Sequence, residues 1–267
     1  MMTFPKLPEV NSNLDLNVLT KLFKVIEPET IDTKTNRIIV TARNKPVFLP
    51  TLLNPELAYF AGYLFGDGYL CVDKKRLGFS DEYETQMKRI NECAIRLFNS
   101  SGRLFSRLSL HSLKPSYNLE ISRKAINWYL HNILSMPRGE KNELEIPENI
   151  RTNLELLRWF LRGLFDADGT LPKNPEKAVQ LFIDFSSKSK KLILAVRDAL
   201  KQFRIETLEP YARISKSPTT NRICITWELR IRRKGQILLF LEEIGFTHPN
   251  KRLRQEKILY GSVAQPG

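Results

Sequence analysis

The sequence predicts an α+β protein made by internal duplication: two αββαββα halves related by a pseudo-two-fold axis, each with an antiparallel sheet. Three observations predict it. The order of elements read from apolar periodicity recurs after about 100 residues. Matching residues recur with it. Each half also opens on an apolar helix with small residues four apart and an Asp-Gly end.

The elements follow in order. Residues 1–53 stand apart, punctuated by Pro5, Pro8, Pro28, Pro46 and Pro50. Leu14, Leu16, Leu19, Leu22 and Phe23 suggest one short helix there, and Arg37–Thr41 a strand. These apolar residues predict that the extension docks on the body. From Asn54-Pro55-Glu56 a helix begins, with a capping side chain, proline at the first helical position and an acidic first turn. It runs to about Gly66. Residues 69–80 read as a hairpin, 81–99 as a helix, 103–111 and 117–122 as a second hairpin, and 123–134 as a helix. The second copy runs as a helix at 152–167, strands at 169–171 and 179–185, a helix at 188–203, a hairpin of 207–215 with 222–231, and a helix at 234–244. A short closing segment and a frayed tail from Tyr260 complete the chain. The predicted divisions are 1–53, an N-terminal extension; 54–150, the first half; and 151–267, the second.

The repeat holds residue by residue. Asp67-Gly68 falls over Asp168-Gly169, Phe79-Ser80 over Phe185-Ser186, and Tyr117 to Lys124 over Trp227 to Lys234. The offset widens along the chain, as longer loops in the second copy would make it. A period this long is a duplicated domain and not a solenoid.

Composition narrows the function. Lys and Arg number 42 against 29 Asp and Glu, a net charge of +13, and the pI is about 9.7. That balance points to a polyanion partner. Three cysteines without a CxxC pair, and three histidines far apart, exclude a disulfide framework, a cysteine zinc site and an HExxH site. No apolar run is long enough to span a membrane, and the start lacks a signal-peptide core. The expectation is an intracellular protein, in prokaryotic cytoplasm or an organelle matrix.

The paired segments carry the chemistry. Gly62 and Gly66, like Gly163 and Ala167, are four apart and share a helix face. Two such stripes permit backbone-to-backbone packing, which would bring Asp67 and Asp168 together. Carboxylates at helix C-termini oppose the macrodipole. Two of them 4 Å apart repel by ~4 kcal/mol at an effective dielectric near 20. A hard cation held by carboxylates and the carbonyls of Gly66 and Ala167 would relieve this, and Mg²⁺ suits such oxygens.

These segments, Phe60-Ala-Gly-Tyr-Leu-Phe-Gly-Asp-Gly68 and Leu161-Arg-Gly-Leu-Phe-Asp-Ala-Asp-Gly169, resemble the LAGLIDADG motif of the homing endonuclease family, in its monomeric two-motif form. The resemblance covers about residues 54–257. The first copy departs from the consensus at Phe65, where the second has Asp166. The resemblance implies a duplicated LAGLIDADG endonuclease fold whose two sheets form a DNA-binding saddle. It implies an intron-encoded, Mg²⁺-dependent nuclease that breaks both strands of a long duplex site, with Mn²⁺ substituting and Ca²⁺ binding without cleavage. Asp67 and Asp168 would be the catalytic, metal-ligating acids. Lys188, at the position of a basic residue near the family's cleavage site, would act on water or on phosphorane charge, or else make a plain DNA-phosphate contact.

DNA contacts are expected from Lys74, Lys75 and Arg76 at one hairpin tip and from Lys173 and Lys177 at the equivalent turn. Strand alternation adds one face with Arg103, Arg107 and His111. A second carries Arg222, Thr226 and Arg230, and a third Tyr211, Arg213 and Ser215. The alternatives are an intron maturase, which would bind its host intron RNA, and a non-catalytic DNA-binding regulator on the same fold. An intein is disfavoured by the absence of an N-terminal Cys or Ser and a C-terminal His-Asn pair.

Overall fold

The computed structural model describes residues 30–32, 37–42, 45–108, 115–216 and 223–261. The expected helix near residues 14–26 lies outside them, as do His111 and Arg222. The contacts divide the chain into two units, Met1–Gly139 and Glu140–Gly267. This boundary differs from the sequence division at 150 and 151. Leu144, Ile146 and Ile150 are buried, and the Leu144 N–H donates to the Ser189 hydroxyl, so the connecting stretch packs with the second unit.

In the first unit, β1 (Thr30–Asp32), β2 (Arg37–Ala42) and β3 (Lys45–Pro50) form an antiparallel meander. Helix α1 (Pro55–Asp67) follows, started by the Asn54 side chain, which accepts from the Leu57 N–H at 2.8 Å. Then come β4 (Gly68–Leu70), β5 (Arg76–Asp81), α2 (Glu84–Phe98), β6 (Arg103–Leu108), β7 (Pro115–Ser122) and α3 (Lys124–Ile133). The four strands pair antiparallel in the order β4-β5-β7-β6. One face of this sheet sends Leu77, Phe79, Leu119 and Ile121 into the core, where Phe60, Phe98 and Tyr129 meet them.

The residues that carried the docking expectation, Leu14 to Phe23, lie outside the described residues, but the described part of the extension packs on the body. Ile38, Val47 and Leu49 are buried. The Tyr129 hydroxyl donates to the Pro50 carbonyl at 2.8 Å, and the Asn99 amide to the Pro46 carbonyl at 3.1 Å. The meander is therefore part of the first unit's core. Leu49→Ala should cost about 2–5 kcal/mol; an unchanged urea midpoint would show the meander to be an appendage.

In the second unit, α4 (Glu148–Arg151) leads into α5 (Leu154–Asp168), capped by Asn153, which accepts from the Glu155 and Leu156 N–H groups. β8 (Gly169–Thr170), a single 3₁₀ turn (Pro175–Lys177), β9 (Ile183–Ser187), α6 (Lys190–Gln202), β10 (Tyr211–Lys216), β11 (Ile223–Ile231), α7 (Lys234–Glu243) and α8 (Pro249–Gly261) complete it. The order β10-β11-β9-β8 mirrors the first sheet. The fold is thus the α+β duplication expected. Two details differ. The strand expected from Val179 starts only at Ile183, because the 3₁₀ turn and loop take up the intervening chain. The closing segment is a helix, α8, that reaches Gly261 and includes Tyr260.

Candidate nucleic-acid interface and acidic helix ends

Asp67 closes α1 and Asp168 closes α5, each half-buried and followed by glycine. The glycines are not left-handed caps: φ is −96° at Gly68 and −72° at Gly169. They serve close approach. A Cβ on Gly169 would lie 2.4 Å from the Phe165 carbonyl oxygen, and one on Gly68 2.7 Å from Leu64 Cα. The chain therefore turns straight from helix into strand beneath the carboxylate.

The end of α5 is gripped by α8. Lys251 Nζ donates to the carbonyls of Phe165 at 3.0 Å, Asp166 at 2.6 Å and Ala167 at 2.7 Å. An ammonium in that place joins the Gly169 N–H on the Phe165 carbonyl, adds a donor to those of Asp166 and Ala167, and meets the negative end of the dipole. Asp166, the consensus acid missing at Phe65, is fully buried. Its carboxylate accepts from the Thr247 N–H at 3.0 Å and from the Thr247 hydroxyl. It fixes the loop that delivers α8, a structural task. Burial pushes the Asp168 carboxyl above its ordinary value, against the nearby cations Lys141 and Lys251, which pull it down.

Lys141 and Lys251 are the residues that sequence reasoning missed. Both lie in the second unit, Glu140–Gly267, one in a loop and one in α8, and no motif in the sequence around either marks it. The expected Lys188 is exposed and lines an open cleft of about 400 Å³ with Asn142, Glu143 and Lys190, whose ammonium lies 4.4 Å over the Trp227 ring. Asp168 is not part of that wall.

The strand faces differ between the units. On the solvated face of the first sheet, Arg103, Phe105 and Arg107 alternate along β6. Both guanidinium groups lie over the Phe105 ring, at 5.5 and 5.1 Å. Arg76 is held by Asp73 and Glu120. Lys74 and Lys75 are exposed in the β4–β5 turn, where Lys74 has φ +60°; Lys173 and Lys177 are exposed beside the 3₁₀ turn. On the second sheet, Tyr211, Arg213 and Ser215 face Glu228, Thr226 and Cys224 across β10–β11, so the two faces expected separately are one. Their charges are paired internally. Arg230 donates from Nε and Nη2 to the two oxygens of Asp184, both at 2.6 Å. Arg213 and the Tyr211 hydroxyl both donate to Glu228. Burial raises the Glu228 carboxyl, but these two donors outweigh it and hold it below its usual range.

Among the described residues no three His, Cys, Asp or Glu side chains gather as a metal cage. Each helix end offers one carboxylate and one neighbouring carbonyl. That donor set fits Mg²⁺, which keeps several waters and takes further oxygens from substrate phosphates. At Ala167 the carbonyl also carries the Lys251 bond.

Residues 155–245 match the family model of a LAGLIDADG-like domain. The glutamine–fructose-6-phosphate aminotransferase [isomerizing] of Methanocaldococcus jannaschii is 32% identical over 217 residues, 80% of this chain and 18% of that protein. The replication factor C small subunit of the same organism is 26% identical over 198 residues, 74% of this chain and 10% of that protein. The chain thus spans less than a fifth of the length of either relative. Full-length DUF199/WhiA from Thermatoga maritima shares the fold, with a TM-score of 0.51 at 18% identity over 81% of this chain and 64% of that one. No described helix is long and apolar enough to cross a membrane.

Proposed function

Because the chain belongs to the LAGLIDADG family, we propose that it is a site-specific homing endonuclease that binds duplex DNA as a monomer and hydrolyses a phosphodiester in each strand. The observation that carries this reading is the pair of Asp-Gly helix ends, with Asp168 set beside two lysines. The relatives support it. An aminotransferase and a replication factor subunit have no chemistry in common, and the matching stretch is a small part of each. That distribution suits a module that moves between genes.

Asp67 with the Gly66 carbonyl, and Asp168 with the Ala167 carbonyl, would hold Mg²⁺. When bound, the ion would supply charge neutralisation at the phosphate and a more acidic water. The chain's own part is positioning. Gly68 and Gly169 bring each acid to a helix-strand junction. Lys251, fixed by three carbonyls, places positive charge beside Asp168, where negative charge on the phosphate would develop. Lys188 and Lys190 offer further cations at their cleft.

One observation favours a second reading, a non-catalytic DNA-binding regulator. Lys251 already bonds the Ala167 carbonyl and neutralises that helix end. Incubation with Mg²⁺ and DNA of the intron-free host gene separates the two: mapped cuts in both strands support the nuclease, whereas binding without cuts supports the regulator. In either case affinity for duplex should fall with salt at a log–log slope of roughly −0.9 per phosphate neutralised. A slope near zero would remove DNA as the partner.

A further inference from the structure

The two solvated sheet faces carry different electrostatics. Facing outward from the first sheet are three arginines: Arg76 is paired with Asp73 and Glu120, whereas Arg103 and Arg107 lie over the Phe105 ring and make no ion pair among the described residues. On the second sheet the two arginines, Arg213 and Arg230, meet two acids, Glu228 and Asp184, each within hydrogen-bonding distance. A face with no net charge gains little from phosphates, and its carboxylates are repelled by them. Acids on a DNA-binding face are useful toward bases, whose exocyclic amino groups donate hydrogen bonds.

The geometry of Arg230 sharpens the point. Asp184 takes the Nε and Nη2 side of the guanidinium. The opposite edge, Nη1 with the second Nη2 hydrogen, is left to donate outward. The Phe182 ring lies 5.0 Å from the guanidinium carbon. The side chain is 34% exposed and Asp184 only 16%, so the acid forms a floor and the arginine the reaching group. A guanidinium held flat with two parallel donors free matches O6 and N7 of guanine in the major groove.

Resting on the DNA-binding reading above, we propose that Arg230, oriented by Asp184, reads a guanine in the major groove of the duplex lying on the second sheet, while Arg103 and Arg107 of the first sheet grip phosphates without regard to sequence. Arg230 is then a specificity-determining residue and Asp184 a positioning residue. Arg103 and Arg107 supply affinity and salt dependence.

The test is selection of bound duplexes from a randomised library without divalent metal, repeated at several salt concentrations, with melting temperature as a folding control. Arg230→Lys should lose a guanine preference at one position by about 5- to 150-fold, the range for one bidentate base contact, with the salt slope unchanged. Asp184→Asn should relax the same position by less. Arg103→Ala and Arg107→Ala should each weaken all sequences alike and reduce the slope by about 1. Should the single variants unfold, Arg230→Met with Asp184→Leu removes the pair without leaving a buried charge alone and should lose the same preference. Uniform weakening with a reduced slope in Arg230→Lys, or an unchanged preference in every Arg230 variant, would overturn the proposal. Failure of the wild type to bind any duplex would overturn the DNA reading itself.

Discussion

Asp67→Asn and Asp168→Asn should each cut Mg²⁺-dependent DNA cleavage by more than about 100-fold while leaving duplex affinity within a few-fold of wild type. Groups that only support a metal ligand are commonly worth 10- to 100-fold, so losing an ionised ligand oxygen should exceed that range. The basic face of β6 is untouched by either change. Stability without metal should not suffer in Asp168→Asn. Burial raises the folded-state pKa of Asp168, so the folded protein holds that proton more tightly than the unfolded chain. The wild type therefore loses stability as pH climbs from the ordinary carboxylate value to the raised one, and the loss persists above it. The asparagine variant has no such loss, and above that window its melting temperature should equal or exceed wild type. Cleavage at wild-type rates in both variants would end the catalytic assignment. A large drop in melting temperature with lost binding would make the aspartates structural.

Lys251→Met should have the second-largest effect. It removes a cation that bonds three carbonyls at the end of α5. Hydrogen bonds to a charged group contribute about 1.5–3 kcal/mol, so the melting temperature should fall by several degrees. The same ammonium lowers the Asp168 pKa. Without it the carboxyl rises further, and the acid limb of the cleavage-pH profile should move to higher pH. Lys251→Arg keeps the charge and should recover part of both. Wild-type melting with lost cleavage would make Lys251 purely chemical. Wild-type cleavage with a lowered melting temperature would make it purely a cap.

The element order was legible because it rests on local signals. Apolar periodicity marked α2 and α6, and Asn54-Pro55 marked the start of α1. The duplicated Asp-Gly ends were legible because the repeat keeps register around them. Side-chain pairing was not. Alternation placed Arg213 and Arg230 on an outward face, but a strand pattern shows only which face a residue takes. Whether the arginine is free depends on the neighbouring strand, and here Asp184 sits 46 residues away in sequence. The meander of β1–β3 was half legible. Arg37–Thr41 read as a strand, but its partner β3 is bounded by Pro46 and Pro50, which weaken any strand signal.

By itself, then, the sequence determined the duplication, the α+β class, the two acids at helix ends and the basic surplus, since each is a property of residue type and spacing along one stretch of chain. Only the tertiary structure decided that α8 returns to place Lys251 on the carbonyls of α5 and that Asp166 is spent on the Thr247 loop. It alone decided that Arg213 and Arg230 of the second sheet are both charge-paired, while on the first sheet Arg76 is paired and Arg103 and Arg107 lie over the Phe105 ring. The reason is physical. Backbone carbonyls are the same at every position, so nothing in a lysine's own neighbourhood marks which helix end it will cap 84 residues away. Likewise an ion pair is a relation between strands, settled by register and by the desolvation that makes an unpaired charge costly.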